Sequence, residues 1–347
     1  MELKIKKKEL IFPYEQQYFN ACHGSTFLVA PNGDYLVTYY GGQRELTPDN
    51  NLYLSRFTNG VWEPPKAILT EHKPYGNCVL FRDGERIYIF IKSGTSPQTW
   101  TSYLTYSDDN GYSWAKEREL CPGDNYSRGP VRNKMIVASD GSWLAPSSTE
   151  EVVLMDCFVD RSTDKGQTWT KCPIPIAHNK SGKLYRNHLW QGLINDELWE
   201  CNLDSIEKWD GVIQPTLWRS TGSNVHAFMR SSRGHIYRSD SKDDGKTWCQ
   251  AYETYMPNNC CGIDVDRFPD GTLVLVYNPV PWNWGPRSPI SIAYSTDNGE
   301  TFSEPLHLET LDGELSYPSV NIVGDIIHVT FTIHRKTFMH CECILER

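Results

Sequence analysis

Ser107-Asp-Asp-Asn-Gly-Tyr-Ser-Trp114 is the stretch on which the fold turns, because the chain repeats its pattern three more times. The repeats are Ser162-Thr-Asp-Lys-Gly-Gln-Thr-Trp169, Ser241-Lys-Asp-Asp-Gly-Lys-Thr-Trp248 and Ser295-Thr-Asp-Asn-Gly-Glu-Thr-Phe302, and Ser55-Arg-Phe-Thr-Asn-Gly-Val-Trp62 is a degenerate fifth copy. Each octapeptide reads as a staple between two strands. The Asp accepts hydrogen bonds from turn amides, the Gly supplies a positive φ, and the aromatic residue packs back over the hairpin. Nothing in that pattern asks for catalysis.

Counted from Ser55, Ser107, Ser162, Ser241 and Ser295, the starts fall 52, 55, 79 and 54 residues apart. A four-stranded repeat unit takes about 40–55 residues. The interval of 79 therefore holds one unit and an insertion, placed within 172–213. A sixth unit is expected from 315–347, where Asp325-Ile-Ile-His-Val-Thr-Phe-Thr-Ile-His334 alternates as a strand does. The expectation is an all-β, six-bladed β-propeller formed by residues 1–347 as one domain. The segment Leu3 to Phe12 closes the ring by joining the last blade, which removes the open sheet edges.

The composition agrees. Twelve Trp, 19 Tyr and 12 Phe favour pleated, half-buried surfaces, and no long segment has a clean helical period. A net charge of −9 without a basic stripe argues against nucleic acid. Lys4 and Lys6 to Lys8 read as a solvated strand edge. No run reaches the ~18 apolar residues of a membrane span. The N-terminus lacks the apolar core of a signal peptide, so the 11 Cys read as reduced thiols of a cytoplasmic protein. Alternation puts Cys341 and Cys343 on one face of a strand and His340 on the other, so no metal site is expected there. Cys260-Cys261 reads as packing, and no cofactor is expected.

The octapeptides are the Asp-box, or BNR-repeat, pattern, and through them the chain resembles the sialidase superfamily along essentially its whole length. That resemblance implies a pocket where the inner strands converge, with three arginines for a substrate carboxylate, an acid/base, and a Tyr nucleophile activated by a Glu. Tyr317 in Ser316-Tyr-Pro-Ser319 resembles the nucleophile. Arg230 and Arg287, each just ahead of an octapeptide, resemble the second and third arginines. The loop Gly41-Gly-Gln-Arg-Glu-Leu-Thr-Pro-Asp49 resembles the acid/base loop, with Glu45 or Asp49 as the acid and Arg44 beside it. Two positions depart from the family. His23 stands where the first arginine is expected, and Gln214, 16 residues before Arg230, stands where the activating Glu is expected.

Other polar residues fit a pocket. Arg128-Gly-Pro-Val-Arg-Asn-Lys134 opens the third blade with three cations at strand-like spacing, and Glu150 follows as a candidate base. Trp190, Trp282 and Trp284 are candidates for stacking on a sugar ring. Three functions follow. The first is an exo-glycosidase of sialidase type acting on an acidic oligosaccharide or glycoside, with Tyr317 attacking and Glu45 or Asp49 as acid. The second is a uronic-acid-directed lyase using His23 and Tyr317 as acid and base. The third is a non-catalytic propeller that binds an acidic sugar.

Overall fold

The computed structural model describes residues 1–71, 73–124, 126–151, 153–178, 183–198 and 200–347. The fold is all-β, and its strands are joined mostly as antiparallel neighbours. Leu315–Val323, Ile326–Ile333 and Thr337–Glu346 form consecutive strands, and Glu2–Leu10 pairs antiparallel with Thr337–Glu346, with Glu2 opposite Glu346. The N-terminal strand thus covers an edge that would otherwise be open.

Neighbouring sheets pack face to face through alternating apolar residues. Phe338 meets Phe27, Val37 and Tyr39 of the first strands. Leu36 and Leu52 meet Cys78, Leu80 and Ile89. Val79 and Phe90 meet Trp143 and Ala145, and Leu144 and Val159 meet Val212 and Ala227. Trp218 and Phe228 meet Val265 and Leu273. Finally Val274 and Ile292 meet Val320 and Val329, which returns to the sheet that holds the N-terminal strand.

The octapeptides form the turns that their sequence predicts. In the first, Ser107 Oγ donates to Asp109 Oδ1 at 2.7 Å and accepts from Gly111 N at 2.8 Å. Asp109 Oδ1 accepts from Ser113 N at 2.9 Å, and Ser113 Oγ donates to Asp109 Oδ2 at 2.6 Å. The Ser113 hydroxyl and the turn amides hold the Asp109 carboxyl down at about 2. The same bonds recur at Asp164, Asp243 and Asp297. Gly166 shows why glycine is needed. Its φ is +83°, and a Cβ there would come within 2.9 Å of the Trp143 ring.

Between strands Thr170–Ile174 and Asp210–Arg219 lie the short helices Gln191–Ile194 and Leu203–Ile206. They fall in the interval where the long spacing places an insertion, and Leu193, Leu198 and Ile206 pack with Trp190, Trp209 and Trp284. No helix among the described residues is long and apolar enough to cross a membrane.

Candidate active site

Bulges aim the central residues. The strands Ala21–Val29, Asp210–Arg219 and Leu315–Val323 each lose register once, between His23 and Thr26, Ile213 and Thr216, and Ser316 and Ser319. At these breaks Gly24, Gln214 and Tyr317 have φ of +70°, +52° and +54°. A left-handed backbone costs a non-glycine residue about 1–2 kcal/mol, and a bulge turns a side chain out of the ladder. Neighbouring side chains hold the strained peptides. Arg132 Nη2 donates to the carbonyl of Pro318 at 2.9 Å and to that of Tyr317. Asn133 Nδ2 donates to the carbonyls of Gln214 and Pro215, both at 3.0 Å.

Around Tyr317 the fold assembles a cationic cluster. Arg230 Nη1 donates to the Tyr317 hydroxyl oxygen at 2.8 Å and to Gln214 Oε1 at 3.2 Å. The guanidinium carbons of Arg132, Arg230 and Arg287 lie 5.2, 5.5 and 5.8 Å from the centre of the Tyr317 ring. The His23 ring packs on it at 4.1 Å. Behind it, Glu314 ties two arginines together: Arg287 Nη1 at 2.6 Å and Arg335 Nε at 2.9 Å. Arg335 Nη1 continues to Glu45 Oε2 at 3.0 Å, and the Tyr40 hydroxyl donates to Glu45 Oε1 at 3.0 Å.

Charge decides what such a site can do. Arg132, Arg230, Arg287 and Arg335 are all buried, and burial of like charges is costly unless anions compensate. Although burial pushes the Glu314 carboxyl up, Arg335 and Arg287 outweigh it and hold Glu314 far below the usual carboxylate range. Burial and the Arg335 charge push His23 well below 6.5, so its ring is neutral at pH 7. Glu150 goes the other way. Burial, resisted by Arg230 and helped by Glu45, raises it to about 7. Donors remain without hydrogen-bond partners among the described residues: Arg132 Nη1, Arg230 Nε and Arg335 Nη2, and His23 Nε2 also lacks one. A buried donor without an acceptor costs about 1–3 kcal/mol, so an anion that supplies oxygens would bind here with that penalty relieved.

Glu45, Glu150, Gln214, Arg230, Arg287 and Tyr317 line one cavity, with apolar walls that include Leu198 and Trp209. Its volume is about 30 Å³, room for about one water. Leu198 and Trp209 come from the insertion, which also packs Trp190 on the arginines behind the cavity. The Trp190 ring lies 3.7 Å from the Arg287 guanidinium and 5.5 Å from that of Arg335.

Several residues expected at the site lie elsewhere. Arg44 is half exposed and pairs with Asp196 at 3.0 Å. Asp49 is exposed and accepts from Gln43 N at 2.8 Å, which shapes the loop. Arg128 is bound to Asp160 and Asp124. Lys134 Nζ is held by Asp264 at 2.9 Å and by the carbonyls of Val265 and Val320. The segment from Arg128 to Lys134 is not a strand, so two-residue spacing does not put its cations on one face, and Arg132 between them turns to the site. Trp282 stacks on His188 rather than facing the cluster. Sequence reasoning counted Arg132 among the three cations of its segment without singling it out, and it missed Arg335, Glu314 and Tyr40. Glu314 had one signal, its place three residues before Tyr317. Arg335 had none, because it occupies a turn with φ +55° that no motif marks.

Comparison with known proteins agrees with this architecture. A protein of unknown function from Dyadobacter fermentans superposes with a TM-score of 0.72 at 14% identity, over 99% of both chains. A Hadza microbial sialidase gives 0.72 at 15% identity, over 96% of this chain and 68% of that one. Trypanosoma rangeli sialidase in complex with the inhibitor DANA gives 0.67 at 14% identity, over 93% of this chain and 55% of that one. At such identities the likeness is one of fold. No curated protein matches by sequence. The profile of the BNR repeat-like domain matches residues 33–329, so the chain belongs to that family, within the sialidase-like superfamily.

Proposed function

We propose that this chain is a glycoside hydrolase of sialidase type, built as a six-bladed β-propeller, that releases an acidic sugar from the end of a short oligosaccharide or glycoside. One observation carries the reading. The Tyr317 hydroxyl is bound by Arg230 at 2.8 Å inside a buried arginine cluster whose unpaired donors call for an anion. The cavity as it stands is water-sized, so the walls that Leu198 and Trp209 form would move to admit a sugar, whose carboxylate Arg230, Arg287 and Arg335 would hold through strong, directional guanidinium–carboxylate bonds. Arg335 would supply the third cation that His23 does not. Tyr317 would attack, or stabilise, the oxocarbenium-like centre. Glu150 would exchange the proton of the leaving oxygen. Raised to about 7, it can hold a proton at neutral pH and return as a base, whereas Glu45 is committed to Arg335. The 11 free cysteines support a reducing, cytoplasmic setting for such an enzyme.

A second reading is a lyase acting on uronic acids. It is favoured by the neighbours of Tyr317. No carboxylate among the described residues hydrogen-bonds its hydroxyl, Gln214 stands beside it, and the neutral His23 ring lies against it. Mass spectrometry of products from sialosides and uronic-acid glycosides separates the two. Products heavier in total by one water establish hydrolysis. An unsaturated product with total mass unchanged establishes elimination and removes the first reading. Binding of an acidic sugar without turnover at any pH overturns both and leaves a sugar-binding propeller.

A further inference from the structure

The alternation that separates His340 from Cys341 and Cys343 also delivers it to a second histidine. In the last sheet His328 lies directly across from Glu342, and His340 is two residues before Glu342 on the same strand, so the three side chains share one face. Cys341 and Cys343 point the other way, into the apolar packing around Val274 and Val329. His328 Nδ1 and His340 Nε2 are 3.1 Å apart. One ligand atom from each of His328, His340 and Glu342 falls within 4.8 Å of the others.

Three features make this more than a buried hydrogen bond. First, packing holds the rings side by side. They are parallel within 7°, and Phe27 stacks on both, at 5.0 and 5.7 Å. Second, Glu9 on the N-terminal strand meets His340 Nδ1 at 3.3 Å. A carboxylate on one ring nitrogen sets the tautomer and leaves the lone pair of the other, Nε2, aimed at His328, the arrangement that orients histidine toward a metal. Third, Glu342 has no hydrogen bond or ion pair among the described residues. Lys7, opposite it in register, turns instead to Glu9 at 2.8 Å. The neutral ring is the form that ligates.

We propose that His328, His340 and Glu342 form a binding site for a first-row transition ion of the zinc class. Two imidazoles and one carboxylate suit that class better than calcium or magnesium, which prefer oxygen. Two nitrogens bound tetrahedrally at 2.0–2.1 Å lie about 3.3 Å apart, close to the 3.1 Å spacing, and because the rings now lie end to end each would also turn to bring its lone pair onto the ion. The ion would take the place of the hydrogen between the rings, and His328 would stay neutral by carrying its one ring proton on Nε2 instead of Nδ1. With Glu9 bound behind His340, it would tie the strand Glu2–Leu10 to the sheet that it completes, far from the arginine cluster in role and chemistry.

The test is titration of chelator-stripped protein with Co²⁺ and Zn²⁺, followed by visible absorption, calorimetry and thermal unfolding. About one equivalent with nitrogen–oxygen d–d bands, a higher unfolding temperature with metal, and loss of all of these in His328→Gln and Glu342→Gln would support the site. Glu342→Gln is the informative variant, because this half-buried residue can be replaced with little effect on folding. Binding that is equally strong in both variants, a sulfur-to-cobalt charge-transfer band marking thiolate ligation, or no stoichiometric binding would overturn it.

Discussion

Glu150→Gln tests the site through one proton. The folded protein raises the Glu150 carboxyl from 4.5 to about 7, which corresponds to about 3 kcal/mol against the charged form. The sign follows from proton linkage. Below about 4.5 both the folded and unfolded states hold the proton, and the residue adds no pH dependence. Between 4.5 and 7 the folded state holds it and the unfolded state does not, so stability falls as pH rises. Above 7 the full cost is present. Glutamine stays neutral throughout. Replacing Glu150 should therefore make the protein more stable relative to wild type at pH 8 than at pH 5, by about 2–3 kcal/mol. Denaturant unfolding at the two pH values measures it. The kinetic counterpart is a wild-type kcat/KM that declines above about 7, with the residual activity of the variant showing no such limb. A stability difference that is the same at pH 5 and pH 8 would refute the burial argument. An unchanged kinetic limb in the variant would remove Glu150 from proton transfer.

Other residues give shorter tests. Tyr317→Phe removes only the hydroxyl that Arg230 binds, and kcat should fall by about 10²-fold or more while far-ultraviolet circular dichroism is unchanged. Glu314→Ala strips the counter-charge from Arg287 and Arg335; it should cost about 3–5 kcal/mol in chemical denaturation, because two buried guanidiniums lose their anion. Gly166→Ala meets both a positive φ and the Trp143 ring, and thermal unfolding should show a loss of about 1–2 kcal/mol with activity unaffected.

The fold was legible because its signal is local and repeated. A Ser, an Asp and a Gly within five residues are enough to build each turn, and the turn chemistry appears in the hydrogen bonds around Asp109, Asp164, Asp243 and Asp297. The insertion was legible as a spacing. The site was legible only where a residue adjoins a motif, as Arg230, Arg287 and Tyr317 do. Arg335 and Glu314 join it through contacts between turns, and Arg132 through an irregular segment, so neither periodicity nor spacing could mark them. The expectation for Arg128 and Lys134 failed for the complementary reason. It assumed strand geometry in a segment whose cations instead anchor Asp160 and Asp264.

The bulges at Gly24, Gln214 and Tyr317 give the molecule separate addresses for architecture and for chemistry. Residues in the paired stretches of these strands are constrained by the apolar faces that they share with adjacent sheets. A residue at a bulge is released from that constraint, because its backbone is held by side chains such as Arg132 and Asn133 rather than by its own packing. Exchanging glutamine for glutamate at such a place rewrites reactivity without renegotiating the scaffold. Scaffold and reactivity are thus separable in this architecture, and its shape is shared with chains only 14–15% identical.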